Sequence, residues 1–438
     1  MKRSIGLLLI LAVLLSSSAC ASGGSPAAAK EEISSQETEN QGDASQASSE
    51  AADAKQTNLT YVTGADSSGT ILEIIKAAQE EFPNVTIDLQ EIPGNSDDIK
   101  KSLITSLAAG QDDPDIFSMD VIWTTQFASA GWLEDLTDKY DPALYLEGPL
   151  STVSYGGKRW AVPDYTDVQS LFYRSDLIDE PPATWDDLVR LSEEHQGKDG
   201  IEWGVLFQAF QGEPIVCNSL TFIKSNGGED IVGGEVKINS PQAKEALEFM
   251  RSLIDKGITS EEALSQKPGD QLPVFMEGKA LFMLNWPGNY ASLQLSPESK
   301  VVDKFSIAQV PVGPSGTKPG PTVGGWNIAV NSASDEVEVS VEVAKFLAGE
   351  EAQTIRTLAL LTTPAYAAVF DNPEVDAANP ILSLIKASLG NARSRPNAPD
   401  YPAMSQLIAV NFSKALAKQS AFDESLAEVE KGMQDLIK

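Results

Sequence analysis

The first apolar residues of the chain form one continuous block. It spans Ile5–Leu15, follows Lys2 and Arg3, and leads through Ser16–Ala19 to Cys20. As a helix the block would rise only about 16 Å, roughly half the thickness of a bilayer's hydrocarbon core. The pattern therefore predicts a secretory signal sequence, residues 1–20, that ends at a cysteine and directs the protein outside the cytoplasmic membrane.

The segment after this block lacks the apolar residues that a folded core needs. Residues 21–57 consist mainly of Ala, Ser, Gln and Glu, with no aromatic residue and with Ile33 as the one branched aliphatic residue. Such a composition predicts a flexible tether with a root-mean-square reach of about 30–35 Å. Globular sequence begins near Asn58.

Strand and helix periods alternate through the first part of the globular sequence. Alternating apolar residues predict strands at Asn58–Val62, Val85–Ile92 and Asp115–Asp120. A helical period separates them at 71–78 and again at 99–107. Strands joined by helices indicate a parallel sheet covered on both faces, where ligands meet the carboxyl ends of the strands.

The rest of the chain continues the α/β pattern. Extended stretches surround Trp160–Pro163 and Leu171–Tyr173, and Thr184 is a good N-cap for the helix that follows. The length after the tether, about 380 residues, suits two lobes of ordinary domain size. Further helices are predicted at Gln242–Asp255, Val337–Gly349, Tyr401–Lys418 and Asp423–Ile437.

Composition and charge narrow the possible functions. With 32 basic and 63 acidic residues the net charge is −31, which would repel nucleic acid and anionic lipid headgroups. An apolar fraction of 42% is enough to fill folded cores. The one histidine, His195, excludes a His-rich metal centre, and no phosphate loop or nucleophile motif is present. We therefore expect no cofactor, no metal and no nucleic-acid partner.

Six motifs in succession resemble one known family, the extracellular solute-binding proteins of bacterial ABC sugar importers, in particular the trehalose- and maltose-binding lipoproteins. Each motif alone is weak, but their shared order is specific. The motifs are Pro114–Trp123, Gly131–Leu136, Val162–Asp167 with Leu171–Asp176, Phe275–Lys279 with Asn285–Pro287, Gly324–Asn327 and Arg393–Pro396.

The resemblance implies a type II periplasmic-binding-protein fold like that of maltose-binding protein. It implies two α/β lobes, a ligand cleft between them, and three interlobe crossings near 166–168, 305–309 and 356–363. We expect the N-terminal lobe to comprise 58–166 and 308–358. The C-terminal lobe would comprise 167–307 and 359–438.

The resemblance also implies a set of ligand-binding residues whose chemistry suits a neutral sugar. Carboxylates and a guanidinium exchange hydrogen bonds with hydroxyls, and aromatic faces cover the apolar C–H surface of the ring. Asp66 and Glu213 are weaker matches, because the surrounding residues differ from the family pattern. The implied residues are Asp66, Asp120, Tyr165, Asp167, Glu213, Trp286, Gly325, Trp326 and Arg395.

Ligand and partners follow from the same resemblance. The ligand would be a neutral α-glucoside or disaccharide such as trehalose, maltose or sucrose, and the partners would be the ABC permease subunits. Relatives often carry an aromatic residue where this chain has Gly288, so the second sugar subsite is expected to be smaller or open. A small glucoside such as glucosylglycerol is therefore an alternative ligand. Cys20 would be the lipidation site and the single membrane anchor of a monomeric protein.

Two other functional classes remain open from the residues alone. The first class is a glycoside hydrolase, because such enzymes use a pair of carboxylates and this chain has pairs such as Asp164 and Asp167. Such pairs also arise by chance in an acidic chain. A tethered adhesive protein would need no aromatic cleft. Asp120 has the alternative role of a helix cap, Trp286 that of a core residue, and Cys217 that of a small buried apolar residue.

Overall fold

The computed structural model describes residues 55–66, 68–94, 96–396, 398 and 400–437. The signal sequence, Cys20 and the tether up to residue 54 lie outside the described residues. In the described part no helix is both long enough and apolar enough to cross a membrane.

Fourteen strands are present in the described residues. They are β1 Thr57–Gly64, β2 Val85–Ile92, β3 Ile116–Asp120, β4 Ser154–Tyr155, β5 Lys158–Arg159, β6 Val162–Val168, β7 Ser170–Tyr173, β8 Trp203–Leu206, β9 Ile231–Val232, β10 Glu235–Val236, β11 Ala280–Asn285, β12 Ser306–Ala308, β13 Val323–Val330 and β14 Thr363–Pro364.

Sixteen α-helices and three short 3-10 helices complete the described fold. The α-helices are α1 Thr70–Glu81, α2 Ser96–Ala108, α3 Thr124–Ser129, α4 Glu147–Thr152, α5 Trp185–His195, α6 Glu213–Ser225, α7 Pro241–Asp255, α8 Pro268–Met276, α9 Tyr290–Leu295, α10 Val337–Leu347, α11 Glu350–Leu360, α12 Ala367–Phe370, α13 Pro373–Ala378, α14 Leu382–Leu389, α15 Tyr401–Leu416 and α16 Phe422–Leu436. The 3-10 helices are Pro142–Leu144, Glu261–Ser265 and Pro287–Asn289.

Two sheets organise the described residues. The larger sheet has the strand order β14-β6-β13-β3-β1-β2, with β2, β1 and β3 parallel and the other pairs antiparallel. The smaller sheet has the order β12-β7-β11-β8, in which β11 and β8 are parallel. The parallel trio in the larger sheet is the one that the sequence predicts, and its helices α1 and α2 occupy the predicted stretches.

Helices cover both faces of the larger sheet. Ile74 of α1 and Val343 of α10 belong to the core on one face, while Leu103 of α2, Phe117 of β3 and Trp123 belong to the core on the other. These side chains are at most 2% exposed. All five residues of β3 are buried, so both faces of this strand are covered, and its apolar residues Ile116, Phe117 and Met119 are not confined to one face.

The chain changes sheet at the first crossing that the resemblance implies and returns just after the second. Near the third, at 356–363, the sheet does not change, because β13 and β14 both belong to the larger sheet. A single residue, Gln169, separates β6 of the larger sheet from β7 of the smaller sheet. The chain returns between β12 and β13, and Thr363 of β14 pairs with Thr166 of β6, so the first and third predicted crossings are neighbours. The lobe boundaries between these points stay a prediction.

Candidate functional site

A cavity of about 480 Å³ is lined by residues from both sheets; it is called the main cavity below. Eight of the nine ligand-binding residues implied by the sequence line it. They are Asp120, Tyr165, Asp167, Glu213, Trp286, Gly325, Trp326 and Arg395.

Strand ends explain why residues so distant in sequence meet in this cavity. Asp120 is the last residue of β3 in the larger sheet, while Trp286 directly follows β11 in the smaller sheet. Gln208, which also lines the cavity, lies just beyond β8. β3, β8 and β11 each have a parallel neighbour, and α/β sheets bind ligands outside the carboxyl ends of such strands.

Two glycines on β13 let the tryptophans approach the cavity floor. A Cβ on Gly324 would lie 2.8 Å from the Trp286 ring, so this ring rests against the strand's backbone. Gly325 has φ +133°, and a Cβ there would lie 2.4 Å from the carbonyl oxygen of Tyr165. Larger residues at these positions would displace the ring or the neighbouring strand. The Gly-Gly-Trp motif thus places Trp326 beside Trp286 in one cavity.

A second aromatic residue, Trp123, packs against Trp326. Its ring meets that of Trp123 edge to face, with centroids 5.5 Å apart. Trp123 is fully buried, whereas Trp326 and Trp286 are partly exposed. An aromatic face that is both rigid and partly open to the cavity can stack on a ligand with little loss of side-chain entropy.

Asp120 lines the main cavity and is fixed by two hydrogen bonds. One carboxylate oxygen accepts from the amide of Ile122 at 3.2 Å, and the other accepts from Oγ of Ser96 at 2.7 Å. Burial raises the pKa of Asp120, and the nearby guanidinium of Arg395 opposes that shift. Asp120 does not cap the helix that follows, because Trp123 is the N-cap of α3 and no side chain caps that helix by a hydrogen bond.

Asp167 is the cavity carboxylate without a charged partner in the described residues. It accepts from the amides of Val168, at 2.9 Å, and Gly288. Burial raises the pKa of Asp167 to about 7. Tyr165, two residues earlier on β6, has a pKa raised well above its ordinary value by burial, so its hydroxyl stays neutral. Both residues line the main cavity, as the alternation of a strand predicts.

Arg395 contacts two acidic residues of the main cavity that lie on different elements, Asp120 and Glu213. It is 7% exposed, and Nη1 donates to Oε1 of Glu213 at 2.8 Å. Nη2 lies 3.7 Å from Oδ1 of Asp120 and 3.4 Å from the carbonyl oxygen of Val323. The guanidinium therefore spans Asp120 of β3 and Glu213 of α6.

Asp66 is the one predicted site residue that does not line the main cavity. Its carboxylate accepts from the amides of Ser68, at 2.8 Å, and Ile71, at 2.9 Å, at the start of α1. These hydrogen bonds lower the pKa of Asp66 against the opposing effect of burial. Asp66 lines an adjoining cavity of about 330 Å³, called the side cavity below, which shares Tyr165 and Trp326 with the main cavity.

Several cavity residues were not predicted from the sequence. Gln169, Asn218 and Gln208 line the main cavity and are at most 1% exposed. Gln169 Nε2, Asn218 Oδ1 and Arg395 Nε have no hydrogen-bond partner in the described part of the chain. Buried polar atoms are rarely left unpaired, so these three atoms are available to pair with a molecule bound in the cavity. Amides carry no periodic sequence signal that could have revealed them.

The acidic and thiol side chains of the main cavity differ in their surroundings. No group of three or more His, Cys, Asp or Glu side chains in the described residues could hold a metal ion. Cys217 is buried, as the sequence predicts, but it also lines the main cavity. Burial raises the pKa of its thiol to about 12, which makes it a poor nucleophile.

Comparisons with known proteins give the family of the chain. The family model for bacterial extracellular solute-binding proteins matches residues 64–354. A Deinococcus radiodurans protein named "Probable ABC transporter-binding protein" is 29% identical over 364 residues, which cover 79% of this chain and 85% of the relative.

Solved structures give the same answer for the fold. Maltose-bound MalE3 of T. maritima has a TM-score of 0.82 and 30% identity, with 87% of this chain and 100% of that chain covered. An ABC transporter solute-binding protein of Thermotoga lettingae bound with α-D-tagatose has a TM-score of 0.79 and 22% identity, with 87% and 100% covered. The fold is thus the two-lobed one that the sequence motifs imply. The chain belongs to the bacterial extracellular solute-binding proteins, receptors of ABC transporters that act outside the cytoplasm, and it is a binding protein rather than an enzyme.

Proposed function

We propose that this protein captures a neutral α-glucoside or disaccharide, of the trehalose, maltose or sucrose type, and delivers it to the permease subunits of an ABC importer. The lobes would close around the sugar, and the ligand would favour closure by its higher affinity for the closed form. The observation that carries the proposal is a cavity that combines two partly exposed tryptophans with buried carboxylates and a guanidinium.

The chemistry of the cavity matches both surfaces of a pyranose. Trp286 and Trp326 offer aromatic faces to the apolar C–H side of the ring. Asp120 and Asp167 accept from adjacent hydroxyls, and Arg395 donates. The unpartnered Nε2 of Gln169 and Oδ1 of Asn218 supply one further donor and one further acceptor.

The volume of the main cavity and the binding free energy that its groups can supply both suit a mono- or disaccharide ligand. A volume of about 480 Å³ lies in the range of roughly 300–1,000 Å³ that is usual for small-molecule sites. A micromolar dissociation constant corresponds to about −8 kcal/mol. Three or four charge-assisted hydrogen bonds and two stacked faces supply that free energy after the ordering costs are subtracted. The maltose bound by the T. maritima neighbour belongs to the same class.

Gly288 supports a second candidate within the same receptor class. This residue lines the main cavity, and a Cβ on it would lie 3.6 Å from Oδ2 of Asp167. An aromatic side chain at this position would face a second sugar ring. Its absence favours a ligand with a small aglycone, such as glucosylglycerol.

The mode of attachment is also part of the proposal. Cys20 would carry the lipid, and the tether would let the folded part move above the membrane surface as a monomer. Metabolic labelling with a palmitate analogue checks this assignment, with a Cys20→Ala chain as the control. Label on the control chain would show that the lipid is carried elsewhere.

A binding panel tests the ligand. The chain from Ala21 onward would be studied by thermal shift and calorimetry with trehalose, maltose, sucrose, glucosylglycerol and glucose. A ligand that binds the folded state raises its stability by RT ln(1 + [L]/Kd). Micromolar binding of one α-glucoside is the expected result. Failure of every sugar up to millimolar concentration would contradict the proposal.

A further inference from the structure

The carboxylate of Glu213 already accepts hydrogen bonds from three oxygen or nitrogen donors, besides a longer one of 3.9 Å from Sγ of Cys217. Oε2 accepts from Oγ of Ser405 at 2.6 Å, and Oε1 accepts from the Tyr401 hydroxyl and from Nη1 of Arg395. Tyr401 and Ser405 lie four residues apart on α15, so their side chains share one face of that helix. Two hydroxyls from α15 therefore clamp a carboxylate from the first turn of α6.

The clamping residues stand behind the cavity and not in it. Tyr401 is 2% exposed and Ser405 is 8% exposed, and neither lines the main cavity. Burial raises the pKa of Tyr401 well above its ordinary range, so its hydroxyl stays protonated and can donate. These hydroxyls can influence a ligand in the main cavity only through the groups that they hold.

Glu213 makes the shortest contact of the Arg395 guanidinium in the described residues. The Nη1 to Oε1 distance is 2.8 Å, while the approaches to Val323, Cys217 and Asp120 measure 3.4–3.7 Å. Charge-assisted hydrogen bonds are strongest at 2.7–2.9 Å, so the Glu213 contact fixes the orientation of the planar fork.

We propose that Tyr401 and Ser405 are positioning residues, which hold Glu213 so that Glu213 can aim the guanidinium of Arg395 at the ligand. The inference rests on the proposed function, because it assumes that Arg395 donates to the sugar. It also assigns Glu213 a different role from the ligand contact that the sequence implies. A supported guanidinium needs no reordering when the ligand arrives, which preserves affinity.

The first test removes one hydroxyl at a time and measures the dissociation constant of the best sugar of the panel. Tyr401→Phe is expected to weaken binding about tenfold, and Ser405→Ala about threefold, as the loss of one supporting hydrogen bond implies. Tyr145→Phe is the matched control. Tyr145 is also buried, and its hydroxyl donates to the carbonyl oxygen of Ala348 at 3.2 Å, but it does not line the main cavity.

A double-mutant cycle separates positioning from general loss of structure. In an Arg395→Lys background the guanidinium is gone, so Tyr401→Phe should cost less than about twofold in affinity. A change confined to fold stability would weaken binding equally in both backgrounds. The inference is overturned if Tyr401→Phe binds like the native chain, or if its full loss persists beside Arg395→Lys.

The rate at which a reagent modifies Cys217 tests the inference even if the native chain binds no sugar of the panel. Cys217 is the one cysteine of the chain from Ala21 onward, and its Sγ lies 3.6 Å from Nη1 of Arg395. Loosening Arg395 should let methyl methanethiosulfonate modify Cys217 several-fold faster in Tyr401→Phe than in the native chain or Tyr145→Phe. If no sugar binds, the proposed function has failed. Equal modification rates would then overturn this inference too.

Discussion

Two carboxylates on β6, three residues apart, have opposite surroundings. Asp164 lines the side cavity and is 2% exposed, and it forms a buried ion pair with Arg356. Asp167 lines the main cavity and accepts from backbone amides, with no cationic partner in the described residues. Burial raises the pKa of both, to about 6 for Asp164 and to about 7 for Asp167.

The difference supports different proposed roles for the two carboxylates, a structural one for Asp164 and ligand binding for Asp167. A buried ion pair neutralises itself, and loss of one partner leaves an uncompensated charge. A carboxylate that no cation neutralises can still gain stabilisation from an incoming donor, which is the situation expected at a functional site. One strand therefore carries both a paired carboxylate and one that we propose as a ligand acceptor.

The largest predicted effect comes from breaking the structural pair. Arg356→Ala leaves Asp164 buried without its partner and should reduce the free energy of unfolding by about 3–5 kcal/mol. Denaturant unfolding measures this loss. The control is Asp164→Asn combined with Arg356→Met, which removes both charges and should recover most of the stability. Equal losses in the single and double variants would show that the charge pair is not the cause.

The next effect comes from removing an aromatic face of the main cavity. Trp286→Ala should weaken sugar binding by about 1–3 kcal/mol, because a stacked face is lost. Calorimetry measures the affinity, and unfolding should change less than binding since Trp286 is partly exposed. Trp160→Ala is a matched control, because Trp160 is also partly buried but lies outside the main cavity. Unchanged affinity in Trp286→Ala would place the ligand elsewhere.

A smaller effect should come from pH acting on Asp167. Folding raises its pKa from an ordinary value of 3.8 to about 7, so its contribution to stability is complete below pH 3.8 and is lost as pH rises through 7. A sugar hydroxyl that donates to the carboxylate favours the ionised form. Affinity should therefore rise about three- to tenfold from pH 6 to pH 8, with proton release.

Calorimetry in buffers of different ionisation enthalpy measures that proton release. Asp167→Asn is the control, because it keeps the shape of the side chain but cannot ionise, and its affinity should vary little over the same range. Affinity that is independent of pH in the native chain would mean that the ligand does not contact the ionised Asp167.

The smallest effect should come from a methyl group at Gly288. A Cβ there would make an ordinary 3.6 Å contact with Asp167, so Gly288→Ala should change the free energy of unfolding by less than about 0.5 kcal/mol. Trehalose should lose more affinity than glucosylglycerol if a second ring reaches this residue. Calorimetry with both ligands measures the ratio. Equal losses would place the second ring away from Gly288.

Local sequence patterns predicted much of the larger sheet. They predicted none of the Gln and Asn side chains that line the main cavity. The alternation in β2, the apolar residues of β3 and the helical periods of α1 and α2 are local signals, and the structure contains these elements. Helix α11 was not predicted, although Glu350 and Glu351 mark its first turn. The resemblance supplied eight residues of the main cavity. Gln169 and Asn218 escaped because their role depends on which buried polar atoms lack partners.

The α/β class, the acidic charge, the predicted signal and tether, and the residue types available for a sugar site all follow from the order of the residues alone. Periodicity and composition are properties of neighbouring residues, so they need no tertiary contacts. Only the tertiary structure decided that Asp164 is neutralised while Asp167 is not, and that Glu213 is held by α15. Those distinctions depend on which distant side chains meet, and the physical consequence of each charge is set by that meeting.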